Sequence, residues 1–228
     1  MRRIGKLLVL AGPTACGKST FLDKVSAPEW ANLGARLGLG PIGEWPRMAA
    51  NRLALSPDLD LKYLTVHHDF LWPPRESSVE KPGGSRALAI LEGAGEVTLV
   101  TLWTPAERLE AQLVHGKLRS ALPYSLTQIF KAGAFLILPG FALRRLSDTK
   151  LVNLLTRRFP DRALFHHLRL LRTYSSAEKV TALYRRWLEF CDMRMPMARA
   201  HLVVEFNERL KIYSRDEWEH RVRELTGG

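Results

Sequence analysis

The segment Gly12-Pro13-Thr14-Ala15-Cys16-Gly17-Lys18-Ser19 places two glycines five residues apart and follows the second with Lys and a hydroxyl residue. It matches GxxxxGK[ST] at each fixed position. Glycines let such a backbone curl until successive N–H groups point inward at phosphate oxygens, and a helix starting at the loop's end adds the positive end of its dipole. On that chemistry Lys18 reaches the β- and γ-phosphates, Ser19 ligates Mg²⁺ and Thr20 touches the α-phosphate. The predicted ligand of residues 12–20 is a nucleoside triphosphate, ATP with GTP open.

Asp69 is the second candidate. It ends a predicted strand, and open α/β sheets bind ligands at the carboxyl ends of their strands. Two roles fit: holding Mg²⁺ through water, or accepting the proton of an acceptor hydroxyl as general base. A blander alternative is that Asp69 only caps the turn after the strand. His67 and His68 precede it and, by strand alternation, face opposite sides, with no ligand spacing for zinc. Cys16 occupies a variable loop position, and a helix N-terminus beside Lys18 would favour its thiolate.

The loop is useful only if a strand and a helix hold it. Residues 6–12, "KLLVLAG", form a continuous apolar run, as in a strand buried on both faces of a parallel sheet. Phe21, Leu22 and Val25 then recur at helical spacing. Further strands are predicted at 61–69, 97–103 and 200–206, and a fifth is not obvious. After the third, Thr104 is positioned to cap, Pro105 to take the first helical position and Glu107 to close a capping box, with a helix to about Lys117 and Leu109 and Leu113 inward. Ser214 and Glu217 form a second box, opening a helix whose inner face is Trp218, Val222 and Leu225. A further helix is expected from Pro46 to Leu55, inside a substrate-side excursion over 27–60. Strands alternating with helices imply an α/β three-layer fold with a parallel sheet.

Between the third and fourth strands the pattern is helical. Val180, Leu183, Tyr184, Trp187, Leu188 and Cys191 recur at spacings of three and four, with Arg185, Arg186 and Glu189 opposite. Residues 146–159 and 160–174 share the habit. The expected organisation is one domain, 1–228, with 117–200 as a helical insertion over the carboxyl edge of the sheet. That insertion holds 16 Lys and Arg against 5 Asp and Glu, whereas the whole chain has 34 and 23, so all the excess charge of +11 lies there. A neutral frame with one cationic segment concentrates a field that gathers an anion.

A hydrophobic content of 46% and a charged content of 25% are those of a globular chain, and 228 residues suffice for one large domain. Two cysteines without a metal spacing argue for a reducing compartment rather than a disulfide framework. "MRR" followed by a short apolar run imitates a secretory signal, but the run leads straight into the glycine loop. No segment approaches the roughly 20 apolar residues that span a bilayer. The expectation is a cytoplasmic protein without membrane insertion.

With loop, strand and helix in place, the chain resembles the P-loop NTPase superfamily, and its layout is similar to the small-molecule and nucleotide kinases within it. The resemblance is sharp over about 4–25 and loose over 61–118. "TLVTLWTPAERLEAQL" is similar to the kinase strand-and-helix unit that leads toward a basic lid, and the absence of NKxD disfavours a GTPase. The resemblance implies an ATP- and Mg²⁺-dependent kinase acting on an anionic or hydroxyl-bearing small molecule. It makes Lys18, Asp69, Arg119 and Arg144 the catalytic candidates, the two arginines as lid cations, with Arg157, Arg158, Arg169 and Arg172 deeper in the same segment. "GPTACGK" also looks like the loop of the tRNA prenyltransferases, but the Asp-Ser-x-Gln that follows it in that family is missing. The alternative from another class is a nucleotide-dependent binding or regulatory protein whose basic segment holds RNA, DNA or another anionic polymer.

Overall fold

The computed structural model describes residues 2–24, 34–35, 39–54, 56, 58–71, 89–118, 145, 150–158, 163–206 and 210–226. By internal contacts the chain forms two compact units. One comprises 1–72, 76–104 and 183–228, the other 73–75 and 105–182.

The first unit is built on a six-stranded sheet of order β2-β3-β1-β4-β5-β6. Its strands are β1 (Arg3–Gly12), β2 (Arg47–Ala49), β3 (Asp60–Asp69), β4 (Ala94–Trp103), β5 (Ala198–Phe206) and β6 (Leu210–Tyr213). All neighbours are parallel except β5 and β6, which pair antiparallel. β1 lies in the interior of the sheet, and its last six residues are all buried, which is why "LLVLAG" reads as an unbroken apolar run. The mixed α/β architecture with a mostly parallel sheet agrees with the fold class read from the sequence. Among the described residues its α-helices include α1 (Lys18–Lys24), α2 (Ala50–Ala54), the later part of α6 (Ala177–Arg194) and α7 (Arg215–Thr226).

β2 and β6 were not foreseen. β2 has three residues and β6 four, too few for alternation to register against neighbouring turns. The helix expected from Pro46 to Leu55 is therefore shorter, since Arg47–Ala49 pairs with β3 and only Ala50–Ala54 is helical. An ion pair between Arg47 and Asp23 at 3.6 Å joins this edge strand to α1.

α6 presents the face that its periodicity predicts. Val180, Leu183, Tyr184, Trp187, Leu188 and Cys191 are all buried. Trp187 stacks on Phe70 at 4.7 Å and donates its indole N–H to Thr101 Oγ1 at 2.9 Å. Outside, Arg185 grips Glu219 of α7 through both Nε and Nη2, at 3.0 and 2.7 Å from Oε2. The box at the start of α7 closes: the Ser214 N–H donates to Glu217 Oε2 at 2.7 Å, and the Glu217 N–H donates to Ser214 Oγ at 3.4 Å. Trp218 and Val222 are buried as expected, but Leu225, in the last turn, is 51% exposed.

Among the described residues the second unit is helical. It holds α3 (Ala106–Gln112), a π-helical continuation over Leu113–Leu118, α4 (Lys150–Arg158), α5 (Ala163–Tyr174) and the start of α6. α5 packs on α4, on α3 and on the π-helical stretch. Leu109 and Leu113 are buried here, as their spacing predicts. No helix among the described residues is long and apolar enough to cross a membrane.

Candidate functional site

The register of the sheet makes the site. Gly12, the last residue of β1, is the pairing partner of Asp69, the last residue of β3. The glycine loop and the carboxylate, far apart in sequence, therefore emerge side by side at the carboxyl edge.

The loop curls tightly. A Cβ on Gly12 would lie 2.4 Å from Cys16 Sγ and 3.2 Å from the Leu102 carbonyl oxygen, so the first glycine is required by close approach. Gly17 has φ of +89°, which a residue with a side chain rarely adopts. Ala15, at φ of +68°, takes a left-handed conformation without glycine's freedom. That conformation costs an L-residue roughly 1–2 kcal/mol. The turn is closed by the Cys16 N–H donating to Pro13 O at 3.3 Å, and α1 begins with the Phe21 N–H donating to Gly17 O at 2.8 Å.

Lys18 folds back over the loop. Its Nζ donates to the Gly12 and Pro13 carbonyls at 2.9 and 2.8 Å and lies 3.9 Å from Asp69 Oδ2. Asp69 is held at both oxygens: Oδ2 accepts the Thr14 hydroxyl at 2.8 Å, and Oδ1 accepts the Leu71 N–H at 3.0 Å. Asp69 thus does cap the turn after its strand, and it faces the loop lysine as well. Phe70, next along the chain, is fully buried against Trp187 and Tyr184, which anchors the carboxylate from behind. Ser19 and Thr20 stand exposed on the first turn of α1. A hydroxyl and a carboxylate are hard oxygen donors, so Ser19 and Asp69 are a chemically suitable set for Mg²⁺.

His67 and His68 alternate as expected, one half-buried and one buried. His67 is held below its ordinary pKa, first by burial and then by the field of Lys18, with Asp69 opposing and Arg52 adding to the fall. Arg52 lies exposed on α2, the helix that follows β2. Residue spacing does not single it out, because only the pairing of Arg47–Ala49 with β3 carries α2 to this edge.

Two expectations are corrected. Cys16 is not a thiolate candidate: it is 2% exposed, and burial raises its pKa against the pull of Lys18. Thr104 does not cap α3. Its hydroxyl donates to the Cys16 carbonyl at 3.1 Å and its N–H to Tyr184 Oη at 3.1 Å, and α3 starts after Pro105 with no side-chain cap. Its hydrogen-bonding groups are used on the glycine loop and on α6, a choice that local spacing cannot reveal. The lid candidates Arg119 and Arg144 lie outside the described residues.

No family model and no curated protein sequence matches the chain. A crystal structure of a gluconokinase from Sinorhizobium meliloti 1021 is similar to it at 15% identity and a TM-score of 0.27, covering 79% of this chain and 98% of that one. A likeness at that level decides neither fold nor activity. The sheet order, the loop and the Gly12–Asp69 register stand on their own.

Proposed function

We propose that the protein is an ATP- and Mg²⁺-dependent kinase that transfers a γ-phosphoryl group to a small anionic or hydroxyl-bearing acceptor. The observation that supports it most is the convergence of Lys18, at the start of α1, and Asp69, at the end of β3, which lie 3.9 Å apart beside a GxxxxGKS loop. Lys18 and the loop N–H groups of residues 12–20 hold the triphosphate. Ser19 and Asp69 hold the metal, which when bound neutralises charge on the phosphate oxygens. Asp69, fixed at both oxygens by Thr14 and Leu71, is better suited to holding a hydrated cation than to swinging toward an acceptor proton.

In this reading the chain acts as a single kinase domain, 1–228, in which residues 117–200 provide lid and acceptor region, Arg119 and Arg144 among their cations. Catalysis is then positioning plus electrostatic stabilisation of the transferring group. The test is ATP consumption across a panel of sugars, polyols and phosphate esters, with Asp69→Asn as comparison. The reading expects at least one acceptor to stimulate turnover more than tenfold in native protein and not in the variant. It fails if a protein that binds MgATP consumes it with no acceptor. The polyanion alternative gives a different signature, nucleic-acid affinity that falls steeply with salt and is untouched by Lys18→Ala.

A further inference from the structure

A buried hydrogen-bonded chain runs from α6 to the phosphate loop. Tyr184, fully buried, donates its hydroxyl to the Leu102 carbonyl at 3.0 Å and accepts the Thr104 N–H at 3.1 Å. Thr104, 2% exposed, donates its own hydroxyl to the Cys16 carbonyl at 3.1 Å. The phenol thereby fixes the end of β4, where the strand stops after Trp103, and the end of β4 fixes the loop.

The Cys16 carbonyl shares a peptide plane with the Gly17 N–H. In a planar trans peptide these two groups point in opposite directions. A hydroxyl that draws the carbonyl toward the core therefore turns the N–H away from it, toward the side on which the loop takes phosphate. The peptide needs such a restraint, because Gly17 at φ of +89° has no side chain to resist a flip.

We propose that Thr104, set in place by Tyr184, is a positioning residue that holds the Cys16–Gly17 peptide with its N–H directed at the bound triphosphate. The assignment rests on the nucleotide reading above and adds to it residues that touch no ligand. Thr104→Val keeps the shape and removes the donor, whereas Thr104→Ser keeps the donor. Tyr184→Phe removes the support one step further back.

The experiment is titration calorimetry with two probes, MgATP and inorganic tripolyphosphate, on the native chain and the three variants, with urea midpoints measured in parallel. Thr104→Val weakens both probes alike by about tenfold, the loss of roughly one hydrogen bond. Thr104→Ser stays within about twofold of native, and Tyr184→Phe weakens both about threefold by the same reasoning. A purely structural role would lower the urea midpoints and leave the affinity of the folded protein unchanged. If the native chain binds and Thr104→Val binds equally well, the positioning role is wrong while the nucleotide reading survives. Should Thr104→Val not fold, native-like affinity in Tyr184→Phe overturns the chain of support. If the native chain binds neither probe, the nucleotide reading fails and this assignment falls with it.

Discussion

Gly12→Ala measures how tightly the loop is wound. The new Cβ would sit 2.4 Å from Cys16 Sγ, more than about 1 Å inside an ordinary contact of 3.5–4.0 Å. The backbone of Cys16 is tied to Pro13 and Thr104, and the residue is 2% exposed, so the sulfur has little room to turn aside. Overpacking of this kind costs about 1–3 kcal/mol. In a Cys16→Ala background the sulfur is gone, and the nearest remaining obstacle is the Leu102 carbonyl oxygen at 3.2 Å, a tight but adjustable contact. The cost of Gly12→Ala should then fall below about 1 kcal/mol, leaving a coupling of about 1–2 kcal/mol in the double-mutant cycle. The assay is urea denaturation of the four proteins, with the slope checked for constancy so that midpoints report stability. Equal costs in the two backgrounds would refute the contact between Gly12 and Cys16 as the reason for glycine.

Ala15→Gly relieves a left-handed alanine but loosens the unfolded chain, for a net stabilisation of about 0.5–1 kcal/mol by thermal or urea unfolding, and a loss of stability contradicts the strain. Burial lowers His201 to about 4, against an ordinary value of about 6.5. Between those values the unfolded chain binds a proton that the folded chain does not, so stability falls as pH drops from about 6.5 toward 4, by at most about 1.4 kcal/mol per pH unit. His201→Gln should flatten this dependence; an unchanged pH profile would rule the histidine out. Trp187→Ala removes a fully buried ring stacked on Phe70 and bonded to Thr101, at a cost of about 3–5 kcal/mol in denaturant titration, and a loss under about 1 kcal/mol contradicts the packing.

Much of this architecture is legible because it is written in periodic apolar patterns. The run from Lys6 to Gly12, the β-rich stretches before Asp69 and Trp103, and the Val180-to-Cys191 stripe each reappear as the expected element. The Ser214–Glu217 box also survives, since both partners sit within one turn. What the pattern could not give is pairing across the sheet. β2 and β6 exist because β3 and β5 offer edges to them, and α2 is carried to the carboxyl edge only through β2. Thr104 failed as a cap for a related reason: a local signal was outcompeted by partners 80 and 88 residues away in sequence. Cys16 departs from its expected thiolate character because spacing shows the neighbouring charge of Lys18 but not the burial that outweighs it.

The proposed function requires the Lys18 loop to bind a triphosphate. Calorimetry of the native chain and Lys18→Ala with MgATP and MgGTP tests it most directly. The native protein is expected to bind at least one nucleotide, and the variant to lose about 100-fold or more in affinity, from the charge-assisted bonds that the ammonium makes to phosphate. Failure of the native protein to bind either nucleotide at millimolar concentration, or equal binding by Lys18→Ala, would contradict it.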